Sequence, residues 1–328
     1  EFRRVLFRSA MVLGIEVECR IGAAVHPAHY DVGWHITGTT GVFGAAAAAG
    51  RLLGLSEQQM TWALSLAAAQ PVGFREMFGS MTKSFHPGRA AQNGLTAALL
   101  ASKNFTSSNQ GIEAKSGWAN VVSTHHDYRN IQTQLGKTYL LSENSYKPFA
   151  SGLVVHPVID GCLQMRSEHQ LKAEQIEEID LRVHRLVMEL TSKKAPQTGL
   201  EGKFSVYHAA AVAITEGAGG EAQFSDGAVR RPATVALRDK VSVTVDSSLK
   251  QDQARITITL RNGSRLEKFV ERTLGSIEKP MSDRDLEAKF LGLAEGILPR
   301  AKSQQVIEQC WHLSELKDVA ALAKAAAA

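Results

Sequence analysis

The chain has 328 residues, of which 44% are hydrophobic and 21% are charged. These proportions are ordinary for globular domains and exclude disordered and fibrous proteins, and the length allows one large domain or two moderate ones. The formal net charge is only +4 with both signs interspersed, so no nucleic-acid partner is expected. Cys19, Cys162 and Cys310 are far apart and odd in number, which favours a reducing compartment, by default the cytoplasm. No run of 18 apolar residues occurs, so no membrane span is predicted.

The first nine residues, EFRRVLFRS, differ in character from the rest of the chain. They are basic but lack the continuous apolar segment of a signal peptide. We expect residues 1–9 to be a non-native leader outside the fold, the alternative being a genuine basic leader. The chain then enters at Ala10 in the middle of a helical pattern, so we expect an earlier part of the protein to be missing.

Residues 10–146 predict a helical domain. Apolar and small residues recur at helical spacing over residues 10–25, and an alanine-rich helix follows His35. Ser56 has the character of an N-cap for the next helix. Residues 105–145 are expected to be mostly helix joined by loops.

The stretch MTKSFHPGRAAQNG combines three potential cations with a helix start. Lys83, His86 and Arg89 recur every three residues, just before an apolar run. Because proline is favoured in a first turn, we predict a loop carrying Lys83 that becomes helix near Pro87. Such a cluster is either a carboxylate or phosphate pocket or a set of solvated cations on a surface helix.

Residues 147–275 predict a second, mixed domain. The content of β-branched residues rises over residues 176–191, where the alternation in EIDLRVHRLVMEL predicts a strand, and Phe204 to Gly217 is typical of a helix. Asn262-Gly263 separates two strand patterns and predicts a type I′ hairpin turn.

Residues 276–323 predict a return to helix, opened by Ser282 as an N-cap, and residues 324–328 predict a flexible tail. The predicted fold class is therefore mainly α with an α+β insert, as a large all-helical domain and a smaller α/β domain.

Four segments carry a resemblance to a known family. They are GWHITGTTGVFGAAAAAGRLLGLS, MFGSMTKSFHPGRAAQNG, YKPFASGLVVHPVIDG and PMSDRDLEAKF, and in order and spacing they resemble the MmgE/PrpD family over nearly the whole chain after Ala10. The family includes 2-methylcitrate dehydratase, cis-aconitate decarboxylase and iminodisuccinate epimerase. The resemblance implies a homodimeric enzyme for small di- or tricarboxylates that needs no metal or organic cofactor. It also implies a helical domain, an α/β lid and an active site between them.

The resemblance also implies site residues. His35 and Lys83 match a family active-site histidine and lysine, Lys147 matches a second lysine, and Tyr207 falls where decarboxylase-like members have a tyrosine. Alongside these four catalytic assignments, Thr82, His86 and Arg89 are expected to bind substrate. Histidine suits acid/base work near neutral pH, and lysine suits a substrate carboxylate. The alternative, non-catalytic roles are those of a core histidine, of solvated lysines and of a tyrosine that only packs.

The pattern also departs from the family. Some members have a histidine after the second lysine, as in KxFPAH, where this chain has Gly152 in KPFASG. That departure argues against a cis-aconitate decarboxylase and indicates another branch of the family. The function we expect is that of a lyase, most like the hydro-lyase 2-methylcitrate dehydratase. The alternatives are an epimerase, a decarboxylase-like lyase and a non-catalytic truncated homologue, since an aspartate and a histidine expected before Ala10 are not in the chain.

Two further histidine motifs are given structural interpretations. His125, His126 and Asp127 resemble a metal cluster, but adjacent side chains diverge, so no metal site is predicted. His156 is expected to help open a helix with Pro157, although its closeness to Lys147 keeps a substrate contact open.

Overall fold

The computed structural model describes residues 2–327, with side chains described from residue 6. The chain divides into two compact units, the first running up to residue 144 and resuming at residue 301, the second comprising residues 145–300. The sequence predicts boundaries at 146/147 and 275/276, so the return to the first unit begins later than predicted.

The first unit is helical. Residues 2–9 lie within its first helix, although the sequence predicts a leader outside the fold; their non-native origin stays a prediction. In chain order the helices are α1 (Phe2–Val25), α2 (Ala28–Val32), α3 (Ile36–Leu53), α4 (Glu57–Ala68), α5 (Met81–Ser102), α6 (Trp118–Val122) and α7 (Arg129–Gln132), with short 3-10 helices at Arg75–Met77 and Leu140–Glu143.

Helices α1, α3, α4 and α5 pack together around small side chains. α3 contacts each of the other three, and α4 also contacts α5. As predicted, Ser56 caps α4, and it forms a capping box with Gln59. Alanines at these contacts let the helices approach closely, and the buried core includes Ile21, Val42, Phe43, Ala46, Ala67, Ala90, Ala97 and Trp118.

Residues 105–145 are mostly loop, and the prediction of mostly helix is wrong for this segment. A buried ion pair ties the segment to α1. Glu16 Oε1 accepts from Arg20 Nε at 2.6 Å, and Arg20 also donates to three carbonyls of this segment, those of Ile131, Thr133 and Thr138. Tertiary hydrogen bonds to α1, rather than local helix propensity, therefore fix the path of this loop.

Helix α5 begins six residues earlier than predicted. It starts at Met81 after Ser80, so Lys83 lies in its first turn and not in a loop. Pro87 lies inside the helix, in its second turn. Because proline has no backbone N–H, one backbone hydrogen bond between the second turn and the first is missing. The consequence is that Lys83 and His86 share one helix and are separated by three residues.

The second unit contains the sheet. Its helices are α8 (His156–His169), α9 (Arg185–Thr191), α10 (Gly199–Gly202), α11 (Val206–Glu216), α12 (Asp226–Val229), α13 (Pro232–Arg238) and α14 (Asp283–Ala294). Its strands are β1 (Ile176–Val183), β2 (Val241–Val245), β3 (Ala254–Leu260) and β4 (Arg265–Val270). Short 3-10 helices occur at Leu153–Val155, Ala173–Gln175 and Glu221–Phe224.

The four strands form one mixed sheet in the order β2-β1-β3-β4. β1 pairs with β2 in parallel and with β3 antiparallel, and β3 pairs antiparallel with β4. Helix α8 packs on β3 and β4, and α11 contacts α8 and β2. The core between helices and sheet includes Ile159, Met165, Ile179, Leu181, Val212, Ile214, Ile256 and Ile258.

The strand predicted over residues 176–191 is only half as long. β1 ends at Val183, and the rest forms α9. His184 begins this helix by accepting a hydrogen bond at Nδ1 from the Leu186 N–H, at 3.2 Å. Val187 and Thr191 are both buried, four residues apart, so the segment satisfies the spacing of one helix face as well as apolar alternation.

The predicted hairpin is confirmed, but its turn type is not. β3 and β4 flank a turn in which the Gly263 N–H donates to the Leu260 carbonyl at 2.9 Å. Gly263 has a φ of +85°, whereas Asn262 is not among the residues with positive φ. A type I′ turn needs positive φ at both central residues, so this is a type I turn followed by a left-handed glycine.

The final helices begin as the sequence predicts. Ser282 caps α14 in a capping box with Asp285. α14 belongs to the second unit, and α15 (Arg300–Trp311) and α16 (Ala320–Ala325) follow. The predicted tail begins inside α16, and its last residue, 328, lies outside the described part. None of the helices within residues 2–327 combines the length and apolar character that crossing a bilayer requires.

Candidate active site

His35 is held at the start of α3 by a contact between two distant segments. Its backbone is extended and its N–H donates to the Gly73 carbonyl at 3.0 Å. The neighbouring Trp34 and Phe74 form an isolated antiparallel bridge, and the Arg75 N–H donates to the Gly33 carbonyl at 2.9 Å. These backbone contacts fix the direction of the His35 side chain, which is 6% exposed.

His86 meets His35 from α5. The two Nδ1 atoms are 2.9 Å apart, and His86 is 4% exposed. Gly73 makes room for this pair, because a Cβ at that position would lie 2.5 Å from His86 Nδ1. Gly73 also has a φ of +100°, which favours glycine. The residue that accepts the His35 N–H is therefore also the one that admits the His86 ring.

The Nδ1–Nδ1 contact fixes complementary roles for the two rings. Of two neutral imidazoles joined in this way, one must donate Nδ1–H and the other must accept at Nδ1. The donor ring then has a lone pair at Nε2, and the acceptor ring has its proton at Nε2. The pair thus presents one basic nitrogen and one N–H donor, whichever ring has which role.

The electrostatics keep both rings neutral. Burial, followed by the positive charge of Lys83 and by the charge that His86 carries when it is protonated, lowers the pKa of His35 to about 4. Burial and Lys83 likewise lower the pKa of His86. At neutral pH both imidazoles are uncharged, so a proton acceptor is present without prior deprotonation.

Lys83 completes this cluster. It lies three residues before His86 and is half-buried, and its ammonium is 5.4 Å from the centroid of the Phe78 ring. The edge of Phe78 in turn contacts His35, with ring centroids 5.0 Å apart. The structure therefore brings His35 and Lys83 to one aromatic ring, and His86 joins them through its contact with His35.

Thr82 and Arg89, the other residues predicted on this stretch, lie at the exposed surface. The Arg89 guanidinium donates from Nη1 to Gln92 Oε1 at 2.7 Å. Both side chains are exposed, in contrast to the buried His86 between them. Within the described part of the chain, the structure shows no contact of either side chain with the histidine pair.

The other two predicted catalytic residues belong to the second unit. Lys147 is exposed and precedes α8, and its charge acts on the buried His156. Tyr207 lies in α11 and is 9% exposed. It faces a cavity of about 580 Å³ in this unit, with Lys194 Nζ 6.0 Å from its ring centroid. The cavity is also lined by Glu177, Glu178, Asp239, Lys240, Val241, Ser242 and Val243.

The His125-His126-Asp127 motif forms an ion pair and a ring contact. Both carboxylate oxygens of Asp127 accept from the Arg129 side chain, and the His126 ring packs against Tyr128. Within residues 2–327 no three histidine, cysteine or carboxylate side chains are grouped so that they could hold a metal ion.

Two family models match the chain and together decide its membership. The MmgE/PrpD N-terminal domain matches residues 5–131, and the MmgE/PrpD C-terminal domain matches residues 149–313. The chain belongs to the MmgE/PrpD family. The two matches follow the two compact units closely: one lies within the first unit, and the other begins near the start of the second.

Curated relatives of this MmgE/PrpD chain include three cis-aconitate decarboxylases. The human protein is 25% identical over 325 residues, covering 95% of this chain and 67% of the relative. The mouse protein is 27% identical over 305 residues, covering 89% of this chain and 62% of the relative. The Aspergillus terreus protein is 24% identical over 337 residues, covering 95% and 69%. The chain thus spans about two thirds of the length of these relatives.

The sequence alone predicts the polar residues of this candidate site but not the residues that support them. Gly73 and Phe78 were missed, because nothing in PVGFREMFGS distinguishes a site residue from an ordinary loop residue. The pairing of His86 with His35 was also missed. The supporting residues and the histidine pairing depend on the contact of residues 33–35 with residues 73–75, and no local sequence pattern predicts that contact.

Proposed function

We propose that this MmgE/PrpD chain acts as a lyase on a small di- or tricarboxylate. The observation that carries the proposal is the neutral His35–His86 pair with the Lys83 ammonium beside it. Breaking a bond next to a carboxylate needs a base or acid at the reacting carbon and a cation for the charge that develops. The three residues supply base, acid and cation.

Dehydration is the reaction that uses all three roles. The free Nε2 of one imidazole takes a proton from the carbon beside a carboxylate, and the released electron pair forms a carbon–carbon double bond. The neighbouring hydroxyl leaves as water with the Nε2 proton of the other imidazole, and the proton shared between the two Nδ1 atoms moves to that ring, so both rings end neutral. Lys83 binds the carboxylate whose negative charge grows during the step. A hydro-lyase of the 2-methylcitrate dehydratase type is therefore our first candidate.

Decarboxylation is the second candidate, because the named relatives are cis-aconitate decarboxylases. In that reaction a carbon–carbon bond breaks, carbon dioxide leaves, and the carbanion takes a proton from the imidazole N–H. No base is required, so only one half of the histidine pair is used. Identities of 24–27% agree with membership of the same family, but proteins this different in sequence can act on different substrates.

Lys147 and Tyr207 are proposed as additional site residues. Lys147 would bind a second carboxylate, and Tyr207 would give a proton to a leaving hydroxyl or an enolate. Both roles come from the family resemblance. Lys147→Ala and Tyr207→Phe, compared with the wild type, test them separately from the histidine pair.

The test of function is a product analysis of the purified protein. We would incubate it with 2-methylcitrate, cis-aconitate and iminodisuccinate in D₂O and follow each by proton NMR. Dehydration gives an alkene with every carbon retained, decarboxylation releases carbon dioxide, and epimerisation changes only the configuration. The expected result is an alkene from 2-methylcitrate. Release of carbon dioxide from cis-aconitate would establish the second candidate, and no turnover of any of the three would contradict both.

A further inference from the structure

His156 is a buried histidine whose polar atoms lack partners. It is 0% exposed, and neither Nδ1 nor Nε2 has a hydrogen-bond partner within the described residues. Its ring lies edge-on to Phe149, with centroids 5.3 Å apart. Buried polar side chains are normally hydrogen-bonded, so an imidazole with two unused nitrogens is costlier here than an apolar ring of the same size.

The imidazole is neutral in this environment. Burial, then the charges of Lys147 and Lys289, lower its pKa to about 4, and the Ser151 carbonyl and Asp160 only partly oppose the shift. The negative charge of Asp160 is already engaged, since it accepts from the Leu274 N–H and from Lys279 Nζ. His156 therefore offers one N–H donor and one acceptor, and neither is used.

The backbone acceptor that acts on the imidazole belongs to the segment that carries Lys147. The Ser151 carbonyl acts on the imidazole but does not meet hydrogen-bond geometry with either nitrogen. The Ser151 hydroxyl is itself buried without a partner among the described residues. Residues 147–152 thus lie against His156 through the Phe149 ring, and the Ser151 carbonyl acts on the imidazole without a bond that meets hydrogen-bond geometry.

We propose that His156 is a positioning residue that anchors residues 147–152 through the Ser151 carbonyl when a carboxylate engages Lys147. The donor is the imidazole N–H, and the acceptor is the carbonyl oxygen. His156 takes no part in proton transfer. This inference depends on the proposed function for the role of Lys147, and it assigns to His156 the work of holding that lysine in its binding position.

The test compares His156→Phe with His156→Asn, which keeps a side-chain N–H. Thermal melting without ligand, KM and kcat on the best substrate, and the rise in Tm caused by citrate are measured for each. We expect His156→Phe to melt at or above the wild-type temperature, because two unpaired buried nitrogens are removed. KM should rise about tenfold with kcat little changed, which is the pattern of lost substrate binding. His156→Asn should restore most of the affinity.

His208→Phe is the matched control. His208 is also a fully buried histidine of this unit, but its Nε2 is bonded to the Gln223 carbonyl at 2.9 Å. This variant should melt lower than wild type and keep a wild-type KM. The opposite responses of two buried histidines would separate a positioning role from a structural one.

Each other outcome decides the matter. A clear fall in the Tm of ligand-free His156→Phe, a wild-type KM in that variant, or equal impairment of the Asn and Phe variants would overturn the inference while the proposed function stood. If the wild type turned over no substrate, the proposed function would fail. The citrate-induced rise in Tm would then test the inference about His156. A rise in wild type that is lost in His156→Phe and kept in His156→Asn would support the inference, and no rise in wild type would overturn it.

Discussion

Lys83 places an ammonium group on the same helix as His86 and against the Phe78 ring that contacts His35. We expect Lys83→Ala to lower kcat/KM by about a hundredfold, the scale for removing one preorganised charge from a transition state. It should also raise the pKa values of His35 and His86, because the Lys83 charge lowers both. Steady-state kinetics over a pH range measures both effects.

Lys103→Ala is the control for Lys83→Ala. Lys103 follows the end of the same helix and is exposed, so its removal should leave kcat/KM and the pH profile unchanged. Equal losses in the two variants, or normal melting and near-native turnover in Lys83→Ala, would show that Lys83 contributes nothing specific.

The neutral state of His35 has a consequence for stability. Unfolded His35 binds a proton near pH 6.5, and folded His35 only near pH 4. Between these values the unfolded state binds more protons, so the free energy of unfolding falls as the pH is lowered, by about 3 kcal/mol for this group alone. Urea unfolding at pH 7 and pH 4.5 measures the change. In His35→Gln the difference between the two pH values should be smaller, and an unchanged difference would contradict the assignment.

At the scale of elements, Gly73 joins the loop before α5 to the start of α3. An alanine there would place its Cβ 2.5 Å from His86 Nδ1 at a φ of +100°. We expect Gly73→Ala to lower stability by about 1–3 kcal/mol through backbone strain and to lower turnover by displacing His86. Urea unfolding and activity are the measurements.

Gly88→Ala serves as the matched control, because a Cβ at that helical position would have no atom within 4 Å apart from its chain neighbours and the backbone of its own helix. It should be neutral or slightly stabilising. Wild-type stability and turnover in Gly73→Ala would mean that the contact between the two segments does not position the pair.

Elements were predictable where local chemistry decides them. Ser56 and Ser282 cap helices through their own side chains, and Gly263 adopts the positive φ that the turn between two strands needs. Predictions failed where packing decides: residues 185–191 fit a strand or a helix equally, and only the burial of Val187 and Thr191 selects the helix. The start of α5 was predicted too late, near Pro87, because the helix tolerates one missing backbone hydrogen bond near its beginning.

At the scale of the whole molecule, the order helical, mixed, helical was predictable from changes in apolar spacing along the chain. The site was predictable only in part. The motifs GWH and MTKSFH supplied His35, Lys83 and His86, but 51 residues separate the two histidines, and only the folded first unit shows them bonded. The buried, unpartnered state of His156 was equally invisible, since its sequence predicts only a helix start.

The neutral histidine pair is tested most directly by the kcat/KM of His35→Gln on the best polycarboxylate substrate, with His125→Gln, an exposed histidine of the same unit, as the control. If the pair transfers the proton, His35→Gln should melt near the wild-type temperature and lose about a thousandfold in kcat/KM, within the range for removing a general acid or base. His125→Gln should keep wild-type activity. A folded His35→Gln that turns over substrate at a near-wild-type rate would contradict the assignment of proton transfer to this pair.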